Sequence, residues 1–244
     1  MADKNFGAGA GLILVLSMVT APVTAAQAPQ QTCFSTEAGT PTDSRIDACT
    51  TVIDASRLPP VSLAIAHQNR ATAYLDKGER DRAISDYDRA IALNPRYANA
   101  FNGRGVAYEA KGDNERALQD YSEAIRLDPA DANALNGRCW LRAAVGQFIS
   151  ALADCDESLR LRPENSNTLD SRGFVNLRLG RWEQALADAD AALKINSQNA
   201  WALFERGVAK RRKGEVAAGD ADIAASRNLD RSAEAEFRSF GVTP

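Results

Sequence analysis

Residues 98–129 read ANAFNGRGVAYEAKGDNERALQDYSEAIRLDP, and the fold is decided here. From Ala98 to Lys111, Phe101, Gly105 and Tyr108 recur at helical spacing. Gly112 can take the left-handed conformation that ends a helix, and Asp113-Asn114 begin the next one. The second segment places Ala117, Tyr121, Ala124 and Leu127 on one stripe, and Pro129 breaks it. Small residues at Gly105, Ala117 and Ala124 allow the two helices to approach closely. The spacing therefore predicts a helical hairpin. A lone hairpin cannot bury both of its faces, so each must stack on a neighbour.

The rest of the chain supplies those neighbours. Glycine recurs every 34 residues, at Gly78, Gly112, Gly146, Gly180 and Gly214. Five residues later come Ala83, Ala117, Ala151, Ala185 and Gly219, and further on Leu93, Leu127, Leu161, Ile195 and Leu229. Proline closes three blocks, at Pro95, Pro129 and Pro163. A fixed period of this length marks a solenoid of stacked units.

The ordered set Phe101, Gly105, Tyr108, Ala117, Tyr121, Ala124, Pro129 resembles the tetratricopeptide repeat family. The resemblance covers Ala64 to about Arg231 as five repeats. It implies an all-α, right-handed superhelical solenoid of stacked helix-turn-helix repeats with the 34-residue period, whose first helices line a concave ligand face. The last two blocks depart from the pattern: Asn176 and Lys210 replace tyrosine, and Ser197 and Arg231 replace proline. The expected organisation is a signal peptide over 1–26, a degenerate N-terminal capping hairpin over 27–62, five repeats over 63–231, and a capping helix and tail over 232–244.

Two columns differ from the family pattern. Arginine precedes the small position in every block, at Arg70, Arg104, Arg138, Arg172 and Arg206. Aspartate fills a second column, at Asp86, Asp120, Asp154, Asp188 and Asp222. In the partial block before them, Thr32 and Ala48 stand at the equivalent places, so both columns vanish together. Joint presence suggests pairing, because an unpaired buried charge costs several kcal/mol and a guanidinium meets a carboxylate bidentately. A structural ladder is the expectation; the rival is a row of arginines for an acidic ligand. Spacing does not say whether each Arg meets the Asp of its own repeat or of the preceding one.

The four cysteines, Cys33, Cys49, Cys139 and Cys155, form two pairs with equal gaps of 16 residues. Cys139 takes the small-glycine position of its block and Cys155 the position of Tyr87 and Tyr121, which face each other in the hairpin. Aligning Ile46 with Ile84 puts Cys33 and Cys49 in the same two columns. Disulfides Cys33–Cys49 and Cys139–Cys155 are expected if the chain enters an oxidising compartment; two pairs of buried thiols are expected otherwise. Export is suggested by the apolar run Leu12 to Val19, followed by small residues to Ala28, with no charge between Lys4 and Glu37. Cleavage after Ala25 or Ala26 would release a periplasmic or secreted chain. The alternative is an uncleaved N-terminus anchoring a structural subunit of an envelope assembly.

The chain has 244 residues, 45% of them hydrophobic, and a net charge of −3. With no basic stripe carrying interleaved aromatics, nucleic acid is not an expected partner. With one histidine, no C-x-x-C, no glycine-rich phosphate loop and no nucleophile elbow, neither an enzyme nor a metal site nor a cofactor is expected, and no small-molecule substrate is evident. The expected partner is a protein or peptide. Carried onto this chain, the family's ligand face holds Asn99, Asn102, Asn133, Asn136 and Asn167, preceded by Gln68 and Asn69. Toward the C-terminal half it holds Trp140, Phe174, Trp201 and Phe204. Amides match a peptide backbone in donor and acceptor, and rings supply anchoring area. The competing readings are helix caps for Asn99 and Asn133, and core for Trp140 and Phe174. Family members that grip acidic chaperone tails use Lys and Arg where this chain has Gln68, Thr72, Gly103, Asn133 and Gly137, so that role is not expected.

Overall fold

The computed structural model describes residues 28–35, 39–55 and 57–244. The apolar N-terminal segment and the expected cleavage sites lie outside the described residues. Among the described residues the secondary structure is helical throughout, in the order α1 (Ala28–Phe34), α2 (Thr42–Ala55), α3 (Pro60–Asp76), α4 (Arg80–Leu93), α5 (Ala98–Ala110), α6 (Asn114–Leu127), α7 (Ala132–Ala144), α8 (Phe148–Leu161), α9 (Ser166–Arg178), α10 (Trp182–Ile195), α11 (Ala200–Arg212), α12 (Val216–Leu229) and α13 (Arg231–Ser239). None of these helices is long and apolar enough to cross a membrane.

Helices α3 to α12 form five hairpins, with α1 and α2 as a shorter hairpin before them. The turn inside each repeat closes by the same chemistry. At Gly112 φ is +79°, the Gly112 N–H reaches the Glu109 carbonyl at 2.8 Å, and the Asp113 N–H reaches the Tyr108 carbonyl at 2.9 Å. This paired closure needs a left-handed residue, which glycine supplies without a Cβ clash. The second helices end in an extended residue: Asn94, Asp128 and Arg162 each precede a proline, which disfavours helix. Asn196 and Asp230 adopt the same extended geometry without proline. The stop is thus a property of the repeat's packing as well as of proline.

First helices touch the first helices of adjacent repeats (α3 with α5, α5 with α7, α7 with α9, α9 with α11), whereas second helices make no comparable contact with one another. The stack is therefore tighter on the side of the first helices, which line its inner, concave face.

Packing within and between hairpins follows a trade in volume. Tyr121 of α6 packs against Gly105 of its own repeat, where an added Cβ would come within 3.0 Å of the ring. The same ring leaves no room for a Cβ at Gly137 of the next repeat, 2.5 Å from Cζ. Tyr87 and Gly103 repeat the arrangement. In the fourth repeat Ala189 stands where the tyrosine would be, and Glu205 stands where Gly103 and Gly137 do. Its carboxyl fills the vacated place, directly against Gly173.

Candidate functional site

The arginine and aspartate columns meet within each repeat. Arg104 grips Asp120 through Nε at 2.8 Å and Nη2 at 2.8 Å; Arg70 grips Asp86, and Arg138 grips Asp154, in the same two-point geometry. Arg172–Asp188 and Arg206–Asp222 complete the series. Each pair joins the two helices of one hairpin. The third arm reaches back to the second helix of the preceding hairpin: Nη1 of Arg104 to Asp88 at 2.5 Å, of Arg138 to Ser122 at 3.3 Å, of Arg172 to Asp156 at 2.8 Å, and of Arg206 to Asp190 at 3.2 Å. Arg70 uses Thr50 of α2 instead, at 3.0 Å. One guanidinium thus ties three helices across two repeats. The aspartates are buried, and at Asp86 burial opposes ionisation while Arg70 and His67 outweigh it, leaving the carboxyl below its usual range.

The aspartates also take a second donor. Arg142, Asn176 and Lys210, all in the tyrosine column, reach Asp154 at 2.6 Å, Asp188 at 2.9 Å and Asp222 at 2.8 Å. Arg142 therefore departs from the family's tyrosine as Asn176 and Lys210 do, which places the departure in three blocks rather than two. His67 plays the same part for Asp86 at 2.8 Å. Asp120 alone among the five has only its arginine.

Both cysteine pairs are bonded. Cys33–Cys49 has a Cα–Cα separation of 4.7 Å and Cys139–Cys155 one of 5.4 Å. Among the described residues, no group of three or more His, Cys, Asp or Glu is placed to hold a metal ion.

Along the N-terminal half of the concave face lies an open groove of about 840 Å³, lined by Gln68, Thr72, Asn99, Asn102, Val106 and Asn133 among others. A second cavity of about 980 Å³ continues it past Asn133, Asn136 and Asn167. Asn99, Asn133 and Asn167 are exposed; Asn102 and Asn136 are half-buried. The caps of α5, α7 and α9 are Tyr97, Asp131 and Asn165, so Asn99 and Asn133 are not cap residues. Asn102 donates to Asp131 at 3.1 Å, and Asn133 accepts from Arg162 at 3.2 Å. The buried Oδ1 of Asn136 accepts no hydrogen bond.

The aromatic group behaves differently. Phe174 and Phe204 are fully buried and Trp140 and Trp201 half-buried, because Phe237 and Phe240 lie over them. The C-terminal helix, expected as an end cap, packs on α11 and α12 of the last repeat and also sends Phe237 and Phe240 into the concave face. Neither phenylalanine belongs to the 34-residue columns, so no repeat spacing pointed to them.

Glu205 was also missed. It is fully buried, and its two carboxyl oxygens lack hydrogen-bond partners; the Phe174 N–H favours its charged form without reaching hydrogen-bond geometry. Burial, then the Asp170 and Asp188 carboxylates, push its pKa well above 4.5. Burial likewise raises Asp170 to about 6. A carboxyl with a raised folded-state pKa holds its proton where the unfolded chain has released it, so stability falls as pH rises past the unfolded value. Glu205→Gln is expected to stabilise the chain near neutral pH, because the amide stays neutral in the buried place without taking up a proton. Thermal melts from acid to neutral pH should show this gain shrinking to nothing at acid pH, where both states are protonated. A gain independent of pH would refute the assignment.

Residues 69–132 match the family model for the tetratricopeptide repeat. No curated relative matches the chain in sequence. Solved structures similar in fold include YrrB, a TPR protein with an unusual peptide-binding site, with a TM-score of 0.61 at 19% identity over 81% of this chain and 100% of that one. A MamA structure has a TM-score of 0.59 at 16% identity, covering 74% and 98%. MamA from Desulfovibrio magneticus RS-1 has 0.60 at 16%, covering 69% and 96%. At such identities these likenesses speak to the fold alone. Residues 69–132 thus carry the tetratricopeptide repeat, and the hairpin geometry found there runs on from α3 to α12 as an all-α repeat solenoid.

Proposed function

We propose that the chain is an exported adaptor that binds an extended polypeptide segment along the asparagine-lined half of its concave face. The observation that carries this is the row Asn99, Asn133, Asn167, exposed at one-repeat intervals. A side-chain amide offers one acceptor and two donors, the complement of a peptide backbone. A solenoid presents such amides in a line, as an extended chain requires. YrrB, similar in fold, has a peptide-binding site, which favours this ligand class. The Arg–Asp columns are assigned to the scaffold, since their polar atoms are engaged with one another.

Export is supported by the Leu12 to Val19 run and by two disulfides, which persist in oxidising compartments. The proposed organisation is a leader over 1–26, a disulfide-clipped cap over 27–62, repeats over 63–231 and a tail over 232–244. Binding of the full chain to an array of synthetic unstructured peptides tests the groove. Bound peptides should lose at least about tenfold in affinity to Asn99→Ala/Asn167→Ala, with the melting temperature unchanged, since both side chains are exposed. Binding that survives the double substitution would refute the groove assignment.

A further inference from the structure

The C-terminal half of the concave face is filled by the chain itself. α13 follows α12 with only Asp230 between them and turns inward. Phe237 stacks on Phe204 with ring centroids 4.7 Å apart and meets Trp201 at 4.6 Å. Phe240, three residues on, meets Trp140 at 5.3 Å and Phe174 at 5.5 Å. Beyond it Val242 is buried, and Arg212 donates to the Thr243 carbonyl at 3.2 Å. The covering is specific to this half. Val106, Phe174 and Val208 share one column of the repeat, yet Val106 is 44% exposed while Phe174 and Val208 are 0% and 2%.

An end cap needs to cover only the last repeat. Phe240 instead reaches Trp140 on α7, two repeats back from α11, so this segment follows the groove as a ligand would. Its hold on the groove is mainly apolar. The ion pairs of α13, from Arg227 and Arg238 to Glu234, stay within α12 and α13. A helix of nine residues has little stability of its own, so its opening costs only the contacts it makes, less than unfolding the array.

We propose that repeats three to five form a pocket for a polypeptide segment bearing two aromatic side chains three residues apart, and that residues 231–243 are its tethered occupant, displaced by a partner carrying such a segment. The pocket is separate from the asparagine groove, although the proposal rests on the same reading of the chain as a polypeptide binder. Tethering makes the internal segment a competitor at high effective concentration. A partner's apparent affinity is reduced by the small fraction of open molecules.

The test uses a fluorescent synthetic peptide of residues 230–244 as the probe, so it needs no natural partner and leaves the asparagine groove untouched. The full-length Phe237→Ala/Phe240→Ala chain should bind the peptide at one site, at least about tenfold more tightly than the unsubstituted chain, because the internal competitor is weakened. A peptide with both phenylalanines replaced by alanine should not compete. Hydrogen exchange on the unsubstituted chain is the second measurement, and it holds even if the double variant fails to fold. Amides 232–241 should exchange at least about tenfold faster than those of α11, and faster still with excess peptide. Exchange no faster than α11 would overturn the proposal, as would a folded variant that ignores the peptide. A concentration-dependent dimer that exchanges its C-terminal segments would also overturn it, by making a second copy the occupant.

Discussion

Arg104→Ala is expected to destabilise the chain by about 3–5 kcal/mol, the range for removing one partner of a buried ion pair. Asp120 is 5% exposed, and Arg104 supplies both of its hydrogen bonds. Without the guanidinium its carboxylate is left buried and uncompensated. The same change at Arg138 should cost less, because Arg142 still reaches Asp154 at 2.6 Å, and likewise at Arg206, where Lys210 still reaches Asp222 at 2.8 Å. The ranking is the discriminating result. A row of arginines serving an acidic ligand would give melting temperatures nearly unchanged in all three variants, with loss confined to binding. Urea or thermal melts of Arg104→Ala, Arg138→Ala and Arg206→Ala decide between the two. Equal losses at the three sites would mean that the second donors contribute nothing. The pair is also expected to be worth more to register than to net stability. Replacing Arg104 and Asp120 together by apolar residues of similar volume should recover much of the loss, because desolvation of the pair offsets most of its attraction.

The repeat was legible because the chain writes it five times: a residue that ends a helix, a small residue at the crossing and a stop recur at one period, and each has a local physical reason. The partner of each arginine was not legible. The guanidinium has three arms, and the stack brings two neighbours within reach, the aspartate 16 residues ahead on its own hairpin and the residue 16 behind on the preceding one. Only the geometry of the stack assigns two arms to the first and one to the second. Asp88, Asp156 and Asp190 recur at the repeat period and could have been read as a third column. Glu205 also left a signal. Tyr87 opposite Gly103 and Tyr121 opposite Gly137 give way to Ala189 opposite Glu205, a trade of volume between two columns that keeps the space filled. The groove's aromatic half could not be read in full, since Phe237 and Phe240 stand outside the periodic part. Nothing local in Arg231 to Phe240 distinguishes a helix that only caps an end from one whose phenylalanines also reach Trp140 on α7 and Phe174 on α9.

Removing the Cys139–Cys155 bond, by Cys139→Ala/Cys155→Ala or by reductant, is expected to cost about 3 kcal/mol, the chain-entropy value for a loop of roughly 15 residues. Both sulfurs are fully buried at the crossing of α7 and α8, in the two positions that Gly105 and Tyr121 fill one repeat earlier. In the alanine variant the loss combines the released cross-link with the volume of two missing sulfur atoms, whereas reductant releases the cross-link alone. Position in the array decides how far it spreads. A solenoid's stability is a sum of repeat and interface terms, so weakening the third of five repeats loosens the interfaces on both sides. Cys33–Cys49 stands at an end, where it pins the seven-residue α1 to α2. Its loss should release α1 locally and leave the main transition almost unmoved. Melts of the two double variants, each with and without reductant, separate these effects. A main transition that is insensitive to loss of Cys139–Cys155 would show that the bond restrains the unfolded chain far less than its loop length implies. The same material settles the compartment. Intact mass of the native protein, alkylated without reduction, should show four cysteines closed to reagent and a chain beginning near Ala26 or Gln27. Free thiols together with Met1 or Ala2 at the start would remove the case for export, and with it the condition under which either bond forms.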